Sequence, residues 1–336
     1  MKFSLIICTY MRPKSLLDLL ESVKDQTLYP NQIIIVDGST NDDTSLAIQK
    51  TTTYKNLEYY KVKEEERGLT RQRNFGIHKI SKDSDVVCFL DDDTVLEKSY
   101  FEEISSTYQN NPEITGVGGV ALNENRWVLK EENKKYSPNK YYEFEEYVVQ
   151  EGQRNIIRNY LGLQSDRESN IMPEFSNGRT FGYPLTGKTY EVDLLIGMSF
   201  SFHRKVFDSI LFSTYFEGYG LYEDADYSLR ALKFGKNAIN TNAQLNHYHH
   251  PDGRPNKYKF GKMVVRNGWY VWRVKYPNVS FKSRVKWNLI IILLAMIRFS
   301  NVFTSSDRKG AFTESVGRIH GWFTLVLNKP KNEKNT

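Results

Sequence analysis

The sequence predicts an α/β protein with a mostly parallel, Rossmann-like central sheet flanked by helices. Three observations carry this reading. Apolar, β-rich runs alternate with amphipathic segments through the first hundred residues. Those runs are continuous rather than alternating, as in strands covered on both faces. Acidic residues stand directly after two of them, where open α/β sheets bind their ligands.

Phe3–Thr9 (FSLIICT) reads as the first strand. Pro13–Gln26 reads as a helix with Pro at its start and Leu16, Leu19, Leu20 and Val23 on one face. Gln32–Val36 is the next strand, and a helix near Thr44–Thr51 follows. Leu57–Val62 and Val86–Leu90 supply two more strands, with the helix Thr70–Ile80 between them. From about Trp127 to Tyr190 the pattern weakens into charged, Tyr-rich, Gly- and Pro-punctuated sequence, read as an irregular insertion placed to cover a site. Regular structure returns at Val192–Phe202 and in a helix after Tyr222 that runs through Leu229 and Leu232 to Gly235. There is no internal repeat and no low-complexity tract.

A chain of 336 residues with 40% hydrophobic and 26% charged content can bury a large core. Cys8 and Cys88 lie inside apolar strands, which predicts buried thiols, no disulfide and a reducing compartment. The N-terminal residues read straight into a strand, without the pattern of a secretion signal. The net charge of +6 is unevenly spread: residues 251–336 hold 17 Lys and Arg against 4 Asp and Glu, leaving residues 1–250 acidic. A basic, aromatic tail suits an anionic membrane surface or nucleic acid, and its apolar run favours the membrane over nucleic acid.

Asp37 directly follows one predicted strand, and Asp91-Asp92-Asp93 directly follow another, so both open into one crevice. Three adjacent carboxylates repel one another unless a cation compensates them. All-oxygen ligands suit Mg2+ or Mn2+; the alternative is a solvated acidic turn. A second acidic group, Glu223-Asp224-Ala225-Asp226, opens a helix, where capping alone would also explain it. Asp226 and Arg230, four residues apart, read as an ordinary surface pair. The glycine-flanked aromatic stretch Phe216–Gly220 precedes this group and suits the entrance for a polar acceptor. Gly116, Gly118, Gly119 and Ala121 formally fit G-x-G-x-x-A, but no helix follows, so a dinucleotide site is rejected. No P-loop is present in the sequence.

The segments SLIICTYMRP, IIIVDGSTNDDT, ERGLTRQRNFGI, FLDDDT, VDLLIGMSFSFHRKVF and GLYEDADYSLR together resemble the ordered motifs of family 2 glycosyltransferases of the GT-A fold. The resemblance covers roughly residues 3–250. It implies a catalytic domain over 1–250, divided into a nucleotide-sugar half (1–122) and an acceptor half (123–250). It implies that Thr9, Tyr10, Arg12 and Asp37 line the nucleotide pocket, with Asp37 accepting from a pyrimidine N–H, and that Arg71 faces the donor phosphates. Asp91 and Asp92 would hold the ribose and the metal, and Asp93, with Asp91, would be a direct metal ligand. Asp224 would be the general base, with Glu223, Gly197 and Met198 on the acceptor side. Of His247, His249 and His250, His247 is expected to be a further metal ligand; an exposed loop cluster is the other reading. The implied reaction is an inverting, Mn2+- or Mg2+-dependent transfer from a nucleoside-diphosphate sugar, such as a UDP-hexose or dTDP-rhamnose, to a glycan hydroxyl.

Residues 251–336 are expected to be a basic helical extension. Trp287–Phe299 (WNLIIILLAMIRF) is strongly apolar but shorter than the roughly 20 residues of a spanning helix. Lys282, Arg284, Lys286 and Arg298 flank it, which suits a helix lying in the headgroup layer; packing against the core, or against a second copy in a homodimer, is the alternative. By resemblance, the acceptor would be a lipid-linked oligosaccharide of surface polysaccharide synthesis (capsule or O-antigen) and the location the inner face of the cell membrane. A nucleotidyltransferase that makes a sugar nucleotide, and a silent glycan-binding subunit, are the competing functions.

Overall fold

The computed structural model describes residues 1–51, 54–249 and 255–331. His250 of the histidine cluster, residues 251–254 after it, and the boundary expected at 250/251 lie outside these residues. The chain forms two compact units, one of Met1–Asn125 with Leu185–Gly253 and one of Arg126–Pro184 with Arg254–Thr336.

The first unit opens as the sequence predicts: strand β1 (Phe3–Thr9), helix α1 (Pro13–Lys24), β2 (Gln32–Asp37), α2 (Asp43–Lys50), β3 (Leu57–Lys61), α3 (Leu69–Ile77) and β4 (Val86–Asp91). β5 (Thr94–Leu96), α4 (Tyr100–Asn110) and β6 (Ile114–Ala121) follow. Strands β3, β2, β1 and β4 are all parallel neighbours. Their inward side chains, such as Leu5, Ile7, Ile33 and Ile35, meet Leu16, Leu19, Leu20 and Val23 of α1 in a fully buried core. Each such side chain contributes about 1.5–3 kcal/mol by leaving water. Helix α1 stops two residues before the expected end, and the Gln26 side chain turns inward to donate to the carbonyl of Glu97 at 2.8 Å.

Beyond β4 the sheet becomes mixed. The strand Ser199–His203 is inserted antiparallel between β4 and β6, and the long strand Lys236–His247 lies parallel to β6. Thr189–Val192 and β5 both pair antiparallel with that long strand, giving nine strands among the described residues. The glycines rejected as a dinucleotide motif are buried in β6, and a Cβ on Gly116 would come 2.6 Å from the Phe202 ring. They admit bulky neighbours across the sheet. Both cysteines are free, as expected, and burial pushes the Cys8 thiol up to about 12.

In the second unit, Val128–Leu129, Tyr141–Phe144 and Tyr147–Gln150 form a small antiparallel sheet. Four helices follow among the described residues, Gln153–Tyr160, Lys257–Lys275, Phe281–Thr304 and Arg308–Leu327. Trp272 and Trp287 stack with ring centroids 5.1 Å apart, and the Trp272 indole donates to the carbonyl of Glu174 at 2.7 Å. The apolar run expected at 287–299 is only part of a 24-residue helix, which is long and apolar enough by length and composition to cross a membrane. At 1.5 Å per residue the helix spans about 36 Å, so it is not too short for a bilayer, contrary to the expectation from residues 287–299 alone. One of its faces is packed through Trp287, Ile290, Ile291 and Ala295. Arg298 pairs with the buried Glu314 of the next helix at 2.9 Å.

Candidate active site

The acid triplet emerges from β4 into the first unit and is not a solvated turn, since Asp92 and Asp93 are both buried. Three cationic groups surround it. Arg12 donates to Asp92 Oδ1 at 3.0 Å and lies 3.7 Å from Asp93 Oδ2. Thr9 donates to Asp92 Oδ2 at 2.6 Å. Thr9 and Arg12, expected in the nucleotide pocket, thus close around Asp92. Burial raises the Asp92 carboxyl, with Arg12 opposing it.

Arg73 is the second cation. Its guanidinium donates to Asp91 Oδ1 at 3.3 Å and to the carbonyl of Gly197 at 3.2 Å, and forms an ion pair with Glu223. It lies against Phe200, 4.8 Å from the ring centroid, and is almost fully buried. A buried guanidinium keeps its proton and needs carboxylates around it. Burial raises Asp91 to about 6 and pushes the Glu223 carboxyl upward, with Arg73 opposing both shifts. Arg73 is a site residue that the sequence motifs do not single out. The phase of α3 carries the missed signal: Thr70, Arg73 and Ile77 share its buried face, whereas Arg71 points outward.

Arg71 instead pairs with Glu217 and donates to the carbonyl of Glu65 at 2.8 Å. Asp37, at the end of β2, is fully buried; its oxygens accept from the Ser39 N–H at 2.7 Å and the Tyr59 hydroxyl at 2.6 Å. Tyr10 is exposed beside it on the β1 side. The ends of β1 and β2 are tied together by Gln72, whose amide donates to the carbonyls of Thr9 and Val36.

The helix Glu223–Ala231 delivers the second acidic group. Asp224, half-buried, accepts from the Gly197 N–H at 2.9 Å, and Asp91 N–H donates to the carbonyl of Met198 at 3.1 Å. The Gly197-Met198 turn therefore touches both acidic groups. A Cβ on Gly197 would stand 3.1 Å from Glu223 Oε1 and 3.2 Å from Asp224 Cβ, tighter than ordinary packing. Asp226 and Arg230 do pair, at 2.7 Å, but Asp226 is fully buried; the expected surface pair is an interior one. The helix face that carries Asp226 packs inward, which spacing alone does not reveal.

His247 is the third cation. β5 pairs antiparallel with the long strand so that His247 stands opposite Thr94, immediately after the triplet. Its Nε2 is 3.3 Å from Asp93 Oδ1 and its Nδ1 is 2.8 Å from Glu124 Oε1. Partial burial lowers the imidazole, but Asp93 and Glu124 outweigh it and lift it to about 10.

Asp91, Asp93 and His247 each offer one ligand atom, all within 4.8 Å of one another. Two carboxylates and one imidazole form a donor set that fits a divalent cation such as Mn2+ or Mg2+.

The fold is that of the GT-A glycosyltransferases. It is similar to a mannosyltransferase from Pyrobaculum calidifontis, solved with GDP-mannose and Mn2+: TM-score 0.50, 13% identity, covering 98% of this chain and 81% of that one. Residues 4–165 match the family described as Glycosyl transferase family 2, so the resemblance seen in the sequence is borne out there. The chain is 31% identical over 145 residues to a glucosyl-dolichyl phosphate glucuronosyltransferase of Haloferax volcanii, covering 42% of this chain and 44% of the relative. It is 30% identical over 122 residues to the O-antigen chain rhamnosyltransferase RfbN of Salmonella typhimurium, covering 36% and 38%. The chain thus spans less than half the length of these curated relatives.

Proposed function

We propose that the chain is an inverting glycosyltransferase that moves a sugar from a nucleoside diphosphate to a glycan hydroxyl. The carrying observation is the Arg73 bridge, which joins the acid triplet to the Glu223-Asp224 pair in a single site. Residues 1–250 form the catalytic part in this reading. Thr9, Tyr10, Arg12, Asp37 and Asp92 belong to the nucleotide side, and Arg71 reaches the phosphates when it exchanges Glu217 for them. Asp91, Asp93 and His247 would hold the cation, which would supply positive charge against the departing diphosphate.

Asp224 is the general base. The acceptor oxygen forms its bond to the anomeric carbon while the bond from that carbon to the diphosphate oxygen breaks on the opposite face. The hydroxyl proton passes to the Asp224 carboxylate, and the bonding electron pair leaves with the diphosphate. The Gly197 and Ala225 N–H groups donate to the two Asp224 oxygens at 2.9 and 2.8 Å and so hold the carboxylate in one orientation for the acceptor. Glu223, held by Arg73, fixes the start of the helix that carries Asp224.

A lipid-linked acceptor at the inner face of a membrane extends this reading. Phe281, Phe303, Phe323 and Leu327 are exposed on the last two helices, and the first turn of Phe281–Thr304 also carries Lys282 and Arg284 after Phe281. Exposed aromatic and aliphatic residues beside basic ones are the chemistry of an interfacial surface.

The test is a panel of nucleotide sugars with Mn2+ or Mg2+ and simple or lipid-linked glycans, scored for released nucleoside diphosphate. Metal-dependent release from one donor, absent in Asp93→Ala and Asp224→Asn, supports the proposal. Release of pyrophosphate, or no turnover with any pair, overturns it.

A further inference from the structure

We propose that Glu124, His247 and His249 form a second cation site, one that prefers a softer divalent ion such as Zn2+ and competes with the acid cluster for the His247 ring. This goes beyond the proposed activity; the outer site stands on its own geometry, and only the competition for His247 rests on the inner cation site of that reading.

The site is assembled by the backbone. The Asn123 side chain donates to the His247 carbonyl at 2.7 Å and accepts from the His247 N–H at 3.0 Å, clamping the segment after β6 to the end of the long strand. Glu124 follows at once, with Oε1 2.8 Å from His247 Nδ1 and 2.8 Å from His249 Nε2. His249 takes a left-handed backbone with φ of 49°, which brings its ring within 4.0 Å of the His247 ring, centroid to centroid. A residue with a Cβ adopts that conformation at a cost, although His tolerates it better than most.

The three donor atoms lie within 4.8 Å of one another. Ligands 2.0–2.2 Å from a tetrahedral Zn2+ stand about 3.4 Å apart, so small outward rotations open the space for an ion. Glu124 and His249 are both exposed, which leaves an entry path and room for water as a fourth ligand. Two imidazoles and one carboxylate match Zn2+ better than Mg2+, whereas the acid cluster has the opposite preference.

His247 faces both sites, Nδ1 toward Glu124 and Nε2 toward Asp93. A neutral imidazole ligates through one nitrogen and carries its proton on the other. An ion on Nδ1 therefore leaves Nε2 protonated, able to donate to Asp93 but not to ligate. One ring serves one site at a time, and Zn2+ at the outer site removes a ligand from the inner one.

The experiment measures Zn2+ binding to the full chain by competition with a chromophoric chelator, and Mn2+ binding by the resonance signal of free Mn2+. His249→Ala and Glu124→Gln, both at exposed positions, should each weaken Zn2+ about tenfold or more, and His249→Ala, which leaves the contacts of His247 with Asp93 and Glu124 in place, should leave Mn2+ affinity unchanged. In the unmodified chain Zn2+ should weaken Mn2+ binding, and in His249→Ala the same Zn2+ concentration should not. Equal Zn2+ affinity in the unmodified chain and both variants overturns the proposal, as does Zn2+ binding that survives His249→Ala and disappears in Asp93→Asn. Every readout is a binding constant, so a negative result leaves the glycosyl-transfer reading standing.

Discussion

The guanidinium of Arg73 and the carboxylate of Glu223 form a buried ion pair, although they stand 150 positions apart in the chain and lie on different helices. Removing one partner of such a pair leaves the other charged and unsolvated. Glu223→Ala should therefore lower stability by about 3–5 kcal/mol in urea unfolding. Glu223→Gln keeps the volume and a hydrogen-bond acceptor but removes the charge, so it should lose nearly as much. A much smaller loss in Glu223→Gln than in Glu223→Ala would show that the contact matters for packing rather than charge.

Asp224→Asn tests the base. The amide retains an acceptor for the Gly197 N–H but cannot take a proton, so kcat should fall by about 10²- to 10⁴-fold. Donor affinity and melting temperature should stay close to those of the parent. A matching loss of donor affinity would move Asp224 from catalysis to binding.

Gly197→Ala places a methyl group against Glu223 and Asp224. We expect kcat to fall more than about tenfold, since displacement of a catalytic group by about 1 Å can cost up to about a hundredfold. KM for the donor should change little. Unaltered kcat would mean that the Asp224 position tolerates the displacement.

His247 gives a pH prediction. With its imidazole lifted to about 10, the ring is protonated in the folded chain at pH 7.5 and must lose that proton before it can ligate. Cation binding should release about one proton per ion and tighten as pH rises toward that value. Calorimetry in buffers of different ionisation enthalpy measures the release directly. His247→Gln should bind more weakly and release none from this position.

The last two helices predict lipid binding. Cosedimentation with vesicles rich in anionic lipid should exceed that with neutral vesicles and should fall as salt rises. Replacing Phe303 and Leu327, both largely exposed, with Ser should reduce it without lowering the melting temperature. Salt-independent binding would argue against an anionic surface.

The parallel part of the sheet was legible because each of its strands is a continuous apolar run, and its helices followed from the spacing of residues such as Leu16 and Val23. The acids were legible because they stand at strand ends. Arg73 was not, because an arginine beside another arginine shows its inward direction only through the phase of the helix. The antiparallel strand Ser199–His203 is apolar enough to be read as regular structure, but its place between β4 and β6 depends on pairing with residues more than eighty positions away. The 24-residue helix was underestimated because polar residues at both ends mask its extent. The closeness of Glu124 to His247 likewise arises from pairing across the sheet, which local sequence does not encode.

That inserted strand also dictates an order of events during synthesis. β4 and β6 are complete once residue 121 has emerged, yet the strand that joins them arrives only with residues 199–203. Until then each presents an open edge of unsatisfied backbone groups to the cell. The nascent chain must hold those two edges apart, or have them shielded, while the intervening residues are translated. Chains that stall before residue 199 should accordingly be the ones that aggregate.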